Sequence, residues 1–244
     1  MIKNINTFFA IINEMTNTIA SRIFILITLH YAALQTGCTS EPGPKNQTSK
    51  IIEVSAENFY RILILGDSLT EGYGVPTDQA FPSLLEEKLN SEFSSTSNKE
   101  YKIINAGISG STTSGGVSRI DWLLKSQPDF LIIALGGNDG LRGVPVNETK
   151  KNLEKIILTA KDKKIPTLLT GMKIPPNYGI QYTQDFANLF PDLAKEQDTP
   201  LLPFLLEGVG GEPSMNLPDR IHPNKAGHQK ISETVFEYLT QNLH

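Results

Sequence analysis

Residues 61–68 (RILILGDS) indicate the fold class of this chain. The first five of these residues are almost all aliphatic, which is typical of a strand buried on both faces of a sheet. Gly66 ends the apolar run, and the polar pair Asp67-Ser68 follows at once. In open sheets of parallel strands, ligands bind beyond the carboxyl ends of the strands. The stretch therefore predicts a buried first strand with polar side chains placed at a ligand-binding edge.

Beyond this strand, apolar runs alternate with segments whose apolar residues recur at helical spacing. We predict four more strands, at 102–106, 130–135, 167–170 and 201–206. We predict helices at 81–93, 117–124, 148–163, 182–195 and 226–243. Five strands that alternate with helices imply an α/β fold, with a parallel sheet and helices on both of its faces. We expect one such domain over residues 53–244.

Composition and charge exclude several classes of protein. Hydrophobic residues make up 39% of the 244-residue chain and charged residues 20%, so neither global disorder nor a coiled coil is expected. The net charge is −4 and no block of basic residues is present, which argues against a nucleic-acid partner. Cys38 is the single cysteine, so an internal disulfide and a cysteine-based metal cluster are excluded.

Small and polar residues follow three of the predicted strands and recur before the last helix. They are residues 66–69 (GDSL), 107–110 (GISG), 136–139 (GGND) and 219–223 (DRIHP). We expect the first three groups to meet because the carboxyl ends of parallel strands lie at one edge of the sheet. The sequence therefore predicts a site built from several separate loops.

Ser68, His222 and Asp219 have the side chains that nucleophilic catalysis requires. A serine is a poor nucleophile unless a base lies within hydrogen-bond reach and a carboxylate orients that base. His222 is the best candidate base: two other histidines lie in the N-terminal apolar run and at the chain end, and His228 is expected on the final helix as a surface or partly buried residue. Asp219 either orients His222 or caps a turn before Pro223.

Acyl transfer also needs hydrogen-bond donors where negative charge develops on the carbonyl oxygen. Asn138 offers a side-chain amide, and the backbone amides of Ser68 and Gly110 are its natural partners, which together predict an oxyanion hole. The glycines at 136–137 are explained by turn geometry. We expect Asp67 to orient its loop by accepting backbone hydrogen bonds and not to act as a catalytic carboxylate.

These residues resemble the conserved blocks of the GDSL/SGNH hydrolases. Residues 66–69 resemble the first block, Gly110 the second-block glycine, residues 136–139 the third block, and Asp219 with His222 the fifth. The four blocks occur in the family's order. The resemblance implies a three-layer α/β/α, flavodoxin-like fold with a five-stranded parallel sheet. It also implies Ser68 as nucleophile, His222 as base and Asp219 as orienter, with no metal and no cofactor.

The resemblance narrows to one bacterial branch of that family. Residues 135–143 (LGGNDGLRG), 176–179 (PNYG), 193–196 (LAKE) and 200–204 (PLLPF) look like the branch of acyl-CoA thioesterases, lysophospholipases and arylesterases. This implies hydrolysis of a small-molecule acyl ester or thioester. The α/β-hydrolase motif G-x-S-x-G, the phosphate loop G-x-x-x-x-G-K-[ST] and a G-x-G-x-x-G turn after the first strand do not occur.

Apolar residues in two loops are candidates for binding the acyl group. Leu141, Val144, Ile174 and Pro175 are expected to line an apolar groove, although ordinary packing between loops explains them equally well. Two other functions stay open, a carbohydrate O-deacetylase on the same fold and a non-catalytic surface-binding protein. A deacetylase would need exposed aromatic residues, whereas Trp122 falls within a predicted helix and is expected in the core. We expect a monomer.

The N-terminal segment predicts export. Residues 23–34 (IFILITLHYAAL) form an apolar run after Arg22 that is too short to span a bilayer, which needs ~20 residues, but is typical of a secretory signal. We therefore predict a signal segment at 1–37 and a polar, proline-containing tether at 38–52.

Cys38 is a candidate lipidation site. A small residue before a lone cysteine resembles a bacterial lipoprotein signal, although Gln35 stands where such signals have an aliphatic residue. Ordinary signal cleavage, an uncleaved anchor and a cytosolic protein are the alternatives. We expect the protein in the periplasm or anchored to the membrane as a lipoprotein.

Overall fold

The computed structural model describes residues 59–97 and 99–243. The predicted signal segment at 1–37, the tether at 38–52, Cys38 and the first residues of the predicted domain lie outside the described residues. Within the described ranges, no helix has both the length and the apolar character needed to cross a membrane.

One sheet of five parallel strands forms the centre of the fold. Its strands are β1 (Phe59–Gly66), β2 (Glu100–Gly107), β3 (Phe130–Ala134), β4 (Thr167–Thr170) and β5 (Leu201–Leu202). Their order across the sheet is β2-β1-β3-β4-β5. Leu63 of β1 lies opposite Ile104 on one side and Leu131 on the other. The prediction of a five-stranded parallel sheet is confirmed, and the aliphatic run of β1 lies fully buried.

The last strand is shorter than the sequence predicts. We expected it over 201–206, whereas β5 ends at Leu202. Proline has no N–H to donate to the strand ladder, so Pro203 ends the pairing. The Leu205 N–H then donates to the Gly171 carbonyl over 3.0 Å, and the chain turns away from the sheet.

Helices cover both faces of the sheet, as predicted. They are α1 (Ser68–Glu71), α2 (Phe81–Ser97), α3 (Thr113–Leu123), α4 (Gly137–Leu141), α5 (Val146–Asp162), α6 (Ile180–Glu196) and α7 (Lys225–Thr240). Helix α2 packs against α7, whereas α5 packs against α3 and α6. These two groups form the outer layers of a three-layer α/β/α fold. The short helices α1 and α4 continue directly from the ends of β1 and β3.

Two side-chain environments differ from the sequence expectation. Trp122 is 69% exposed because it lies on the side of α3 opposite Gly116 and Ile120, which face inward; the expectation that it lies in the core is wrong. His228 is fully buried, whereas a surface or partly buried position was expected. Its Nδ1 accepts a hydrogen bond from the Phe81 N–H over 3.2 Å, which links α7 to the start of α2.

The strand order places a ligand site between β1 and β3. The chain passes from β1 to β2 on one side, and β3 then returns to the other side of β1. Ligands in such sheets bind at the point where the strand order reverses. Asp67 and Ser68 follow β1 at this point, and residues 136–138 follow β3.

Candidate active site

The start of helix α1 holds Ser68 at the edge of the sheet. Asp67 caps this helix by accepting a hydrogen bond at Oδ1 from the Leu69 N–H over 3.0 Å. Ser68 is the first helical residue, where backbone amides have no partner within the helix. Helix α1 can lie this close to β2 because Gly107 has no side chain: a Cβ there would lie 2.1 Å from the Glu71 nitrogen. Close packing therefore fixes the serine above the sheet.

Ser68, His222 and Asp219 form a continuous hydrogen-bonded chain. The Ser68 Oγ lies 3.0 Å from His222 Nε2, and His222 Nδ1 lies 2.8 Å from Asp219 Oδ2. With its proton on Nδ1, the imidazole donates to the carboxylate and accepts from the hydroxyl. The ring of Tyr73 packs against this imidazole, with 4.4 Å between ring centroids. The structure thus brings together three residues that the sequence separates by up to 154 positions.

The loop that carries His222 keeps Asp219 ionised. Asp219 Oδ1 accepts the backbone N–H groups of Ile221 and His222 over 2.9 and 3.0 Å. The His222 amide, then the Ile221 amide and the imidazole, lower the pKa of Asp219 to about 2. A hydrogen bond to the ionised form favours it, so this carboxylate stays charged at neutral pH.

Buried Asp67 fixes the side chain of Asn138. Asp67 is only 3% exposed, and its Oδ2 accepts a hydrogen bond from Asn138 Nδ2 over 3.2 Å. Burial raises the pKa of Asp67 to about 6, while the Leu69 and Asn138 donors oppose that shift. Asn138 Nδ2 has no second acceptor among the described residues, and Asn138 and Ser68 both line the cavity described below. The expected hydrogen bonding of Asp67 to its own loop is present, but its contact with Asn138 was not predicted.

Gly110 lies in the loop after β2 in a left-handed conformation, with φ +75°. Two side chains hold this loop on either side of its amide. Glu71 accepts hydrogen bonds from the N–H and the hydroxyl of Ser109, and Arg142 Nη2 donates to the Gly110 carbonyl over 2.9 Å. Gly110 is not among the residues that line the cavity. Sequence analysis missed both Glu71 and Arg142, because each acts through a contact more than 30 residues away.

Arg119 connects the ends of β1 and β2. Its guanidinium donates to the carbonyls of Ala106 and Gly66, the latter over 2.7 Å. These carbonyls directly precede the Gly107 turn and the Asp67-Ser68 turn, so one guanidinium fixes the positions of the two loops relative to each other. Sequence analysis missed Arg119. The only signal for it was a charged residue next to the inward-facing Ile120 on α3.

A largely apolar cavity of about 650 Å³ opens beside Ser68 and His222. Three of the four predicted acyl-binding residues, Leu141, Ile174 and Pro175, line it. Val144 does not line the cavity; its carbonyl instead accepts a hydrogen bond from the Tyr182 hydroxyl over 2.7 Å. Sequence analysis missed several further apolar lining residues. Met172 and Pro176 lie in the same loop after β4 as Ile174 and Pro175, whereas the others come from other parts of the chain: Leu69, Phe204, Leu206 and Ile221.

The donor set favours acyl transfer over metal chemistry. No group of three or more histidine, cysteine, aspartate or glutamate side chains within residues 59–97 and 99–243 is arranged to hold a metal ion. A hydroxyl bonded to an imidazole, which is in turn bonded to a carboxylate, is the arrangement that activates serine for attack on a carbonyl carbon. An apolar cavity beside that hydroxyl suits a hydrocarbon chain.

Comparisons with known proteins agree with this chemistry. Residues 64–230 match the model of the GDSL-like Lipase/Acylhydrolase family. An arylesterase of Vibrio mimicus is 38% identical over 193 residues, which cover 79% of this chain and 94% of the relative. Thioesterase 1/protease 1/lysophospholipase L1 of Escherichia coli K12 is 40% identical over 179 residues, which cover 73% of this chain and 82% of the relative.

A solved structure shares the same architecture. The crystal structure of TesA superimposes with a TM-score of 0.70 at 37% identity, covering 75% of this chain and 99% of that chain. The family model and the solved structure thus both match most of the described residues. The chain therefore belongs to the GDSL-like lipase/acylhydrolase family and is an ester hydrolase of the SGNH type.

Proposed function

We propose that this protein hydrolyses acyl esters and thioesters through an acyl-serine intermediate. Ser68 attacks the carbonyl carbon while His222 Nε2 takes the hydroxyl proton, and Asp219 orients the imidazole and stabilises its charged form. His222 then protonates the leaving alcohol or thiol as the carbonyl–leaving group bond breaks. Water, deprotonated by His222, attacks the acyl-serine carbonyl, and Ser68 regains its proton as the acid leaves. The contacts of 3.0 and 2.8 Å that join the three side chains carry this proposal.

Three donors stabilise the oxyanion in this scheme: the backbone amides of Ser68 and Gly110 and the side chain of Asn138. Preorganised donors accelerate such reactions because they are already aimed at the position where negative charge develops. The hydrogen bond from Asn138 to buried Asp67 supports this role, since it restricts the rotation of the amide. The contacts of Glu71 and Arg142 restrict the Gly110 loop in the same way.

Medium and long acyl chains are the proposed substrates. The cavity beside Ser68 is lined by aliphatic, aromatic and proline side chains, among them Leu141, Ile174 and Pro175. The relatives named arylesterase and thioesterase/lysophospholipase support aryl esters, acyl-CoA and lysophospholipids as substrate types. A carbohydrate deacetylase is less well supported, since the exposed Trp122 does not line this cavity.

We also propose an exported, monomeric enzyme with three parts: a signal segment at 1–37, a tether at 38–52 and a hydrolase domain at 53–244. Support comes from the sequence pattern around residues 23–38. Lipidation of Cys38 would hold the enzyme at a membrane, whereas ordinary cleavage would release it into the periplasm. Intact-mass analysis of the protein isolated from its native cells distinguishes these outcomes, and an unprocessed N-terminus on cytosolic protein would contradict export.

The Ser68→Ala variant tests the proposed function. We expect hydrolysis of 4-nitrophenyl octanoate and of S-octanoyl-N-acetylcysteamine to fall to the background rate, because no other group replaces the nucleophile. Ser91→Ala is the matched control, because Ser91 is an exposed serine on α2 that does not line the cavity. Hydrolysis by folded Ser68→Ala at the rate of the unmodified enzyme would contradict the proposal.

A further inference from the structure

Two cations line the apolar cavity. Lys173 and Arg220 are both among its lining residues, and the other titratable lining residues are Asp67 and His222. Asp67 is buried and accepts hydrogen bonds from Leu69 and Asn138. No ion pair of Lys173 or Arg220 is formed within the described ranges 59–97 and 99–243. Among the described residues, the cavity lining thus carries two unpaired cations and one buried carboxyl, although the chain as a whole has a net charge of −4; the ionised Asp219 precedes Arg220 in the chain but is paired with His222.

Lys173 is held against the wall of the cavity. Its Nζ lies 4.5 Å from the centroid of the Phe204 ring, an arrangement in which the ring face attracts the ammonium. Phe204 in turn packs at Gly210, where a Cβ would lie 3.1 Å from the tip of the ring. Both Phe204 and Gly210 line the cavity. The stacking leaves the N–H groups of the ammonium available to a ligand.

Arg220 has a left-handed backbone conformation within the loop that carries Asp219 and His222. Its φ of +60° is left-handed, a conformation that disfavours residues with a Cβ and is usually taken by glycine. The residue lies between Asp219 and His222, and its exposed side chain has no hydrogen-bond partner within the described part of the chain. The guanidinium therefore lies at the cavity, in the loop that carries His222, without a partner of its own among the described residues.

We propose that Lys173 and Arg220 form an anion subsite that recognises a phosphate or carboxylate group on the substrate. This inference rests on the proposed function. The leaving group must lie beside His222 to receive its proton, and Arg220 is two residues from His222. Arg220 is therefore placed to bind phosphate on the leaving group, and Lys173, which lies between the lining residues Met172 and Ile174, adds positive charge to the same cavity. Guanidinium groups suit this role because their planar N–H donors match phosphate oxygens in pairs.

A pair of thioesters with the same acyl chain tests the subsite. Octanoyl-CoA carries phosphates on its leaving group, whereas S-octanoyl-N-acetylcysteamine carries none. We expect the ratio of their kcat/KM values to fall about fourfold in Arg220→Gln or Lys173→Gln and roughly tenfold or more in the double variant, as for exposed charge pairs. In the unmodified enzyme, the ratio falls as NaCl is raised, because salt screens exposed charges.

Two sets of control variants separate the subsite from net charge and from backbone strain. Lys151→Gln/Lys155→Gln removes the same number of charges from the exposed surface of α5, away from the cavity lining, and leaves the ratio unchanged. Arg220→Gly relieves the left-handed strain but should lower the ratio as Arg220→Gln does. Arg220→Lys keeps the charge and should restore most of the ratio.

A further substrate pair locates the anion. The mono-4-nitrophenyl ester of suberic acid carries a carboxylate at the end of its acyl chain, whereas 4-nitrophenyl octanoate carries none. If the double variant loses activity selectively on the suberic ester, the subsite exists but binds a carboxylate on the acyl chain. An unchanged ratio for both substrate pairs in the double variant would overturn the subsite. That result would leave the proposed function intact as long as Ser68→Ala still abolishes hydrolysis of the neutral thioester.

Discussion

The two sides of the cavity are built from different interactions. On the side of β1, β2 and β3, the carboxylates of Asp67 and Glu71 accept hydrogen bonds, and the guanidinium groups of Arg119 and Arg142 donate them. These contacts fix the loops that hold Ser68, Gly110 and Asn138. On the side of β4 and β5, the lining is mainly apolar and includes Met172, Ile174, Phe204 and Leu206.

This difference assigns different tasks to the two sides. Hydrogen bonds fix atoms to within a few tenths of an ångström, which transition-state stabilisation requires, whereas apolar contacts scale with buried area. Substitutions on the polar side should therefore change turnover by orders of magnitude. Substitutions on the apolar side should change the preference between substrates by smaller factors.

The largest effect on the polar side after loss of the nucleophile is expected for Asn138→Ala. Removing one oxyanion donor lowers kcat about 10²- to 10³-fold. Asn216, the other side-chain amide in the cavity lining, cannot replace it because its Nδ2 already donates to the carbonyls of Val209 and Glu212. Steady-state kinetics with 4-nitrophenyl octanoate measure this loss, and thermal unfolding of the variant checks its stability. A loss below threefold would remove Asn138 from the oxyanion hole.

Asp67→Asn tests whether Asp67, which acts through Asn138, contributes to turnover as expected for the polar side of the cavity. The substitution keeps the shape of the side chain. In one of its two orientations, however, the new amide places an NH₂ group instead of an acceptor oxygen opposite Asn138 Nδ2. We expect kcat to fall roughly tenfold to a hundredfold, since hydrogen bonds to charged groups contribute about 1.5–3 kcal/mol. KM should change little, because Asp67 positions a donor and binds no acyl chain. A change in KM alone would contradict this positioning role.

The apolar side should control chain-length preference. Each methylene buried contributes up to ~0.8 kcal/mol, so kcat/KM should rise up to about fourfold per carbon from acetyl towards octanoyl esters. Ile174→Ala should lower the octanoyl-to-acetyl ratio by up to about 15- to 60-fold, because it removes apolar contact area equal to two or three methylenes.

Val144→Ala is the matched control for Ile174→Ala, because Val144 lies outside the cavity lining and its substitution should leave the ratio unchanged. Equal kcat/KM for acetyl and octanoyl 4-nitrophenyl esters in the unmodified enzyme would contradict an acyl-binding role for the cavity.

The smallest effect on activity is expected for His228, which belongs to neither side. Burial lowers the pKa of His228 to about 4, below the ordinary value of 6.5, so the unfolded chain binds this proton more tightly. The free energy of unfolding should therefore fall as pH falls from about 6.5 to 4, by up to ~1.4 kcal/mol per pH unit.

His228→Asn removes this titration while keeping an acceptor for the Phe81 N–H. Urea unfolding across this pH range should show a shallower pH dependence for the variant than for the unmodified enzyme. Asp67, whose pKa burial raises to about 6, contributes the opposite slope in both proteins, so the difference between them isolates His228. Identical slopes would contradict the assignment of a buried, neutral His228, and activity at pH 7 should be unchanged.

The sequence was sufficient to predict the elements that build the site. Alternating apolar runs predicted the sheet, and the strand-end position of Ser68 and Asn138 predicted that they would meet, because parallel strands end at one edge. To predict that His222 and Asp219 also lie at this edge, one needs a fold in which a loop near the C-terminal end of the chain returns to β1. The family resemblance supplied that fold, which periodicity alone does not.

Other features depend on distant contacts that a single sequence does not encode locally. Arg119 donates hydrogen bonds to backbone carbonyls 13 and 53 residues away. Every residue has such a carbonyl, so the residue types do not show which ones accept. Trp122 was assigned to the core from its residue type, although its helical phase turns it to solvent. Val144 lies three residues after Leu141, the last residue of α4, but only the folded chain shows which of the two faces the cavity.

Labelling with a fluorophosphonate tests most directly the claim that Ser68 is activated by His222 and Asp219. The reagent phosphonylates a serine only where a base makes the hydroxyl nucleophilic. Intact-mass spectrometry should show one adduct on the unmodified enzyme, located at Ser68 by peptide mapping, with no adduct on Ser68→Ala and a strongly reduced labelling rate for His222→Ala. Equal labelling of the unmodified enzyme and His222→Ala, or an adduct at another serine, would contradict the account.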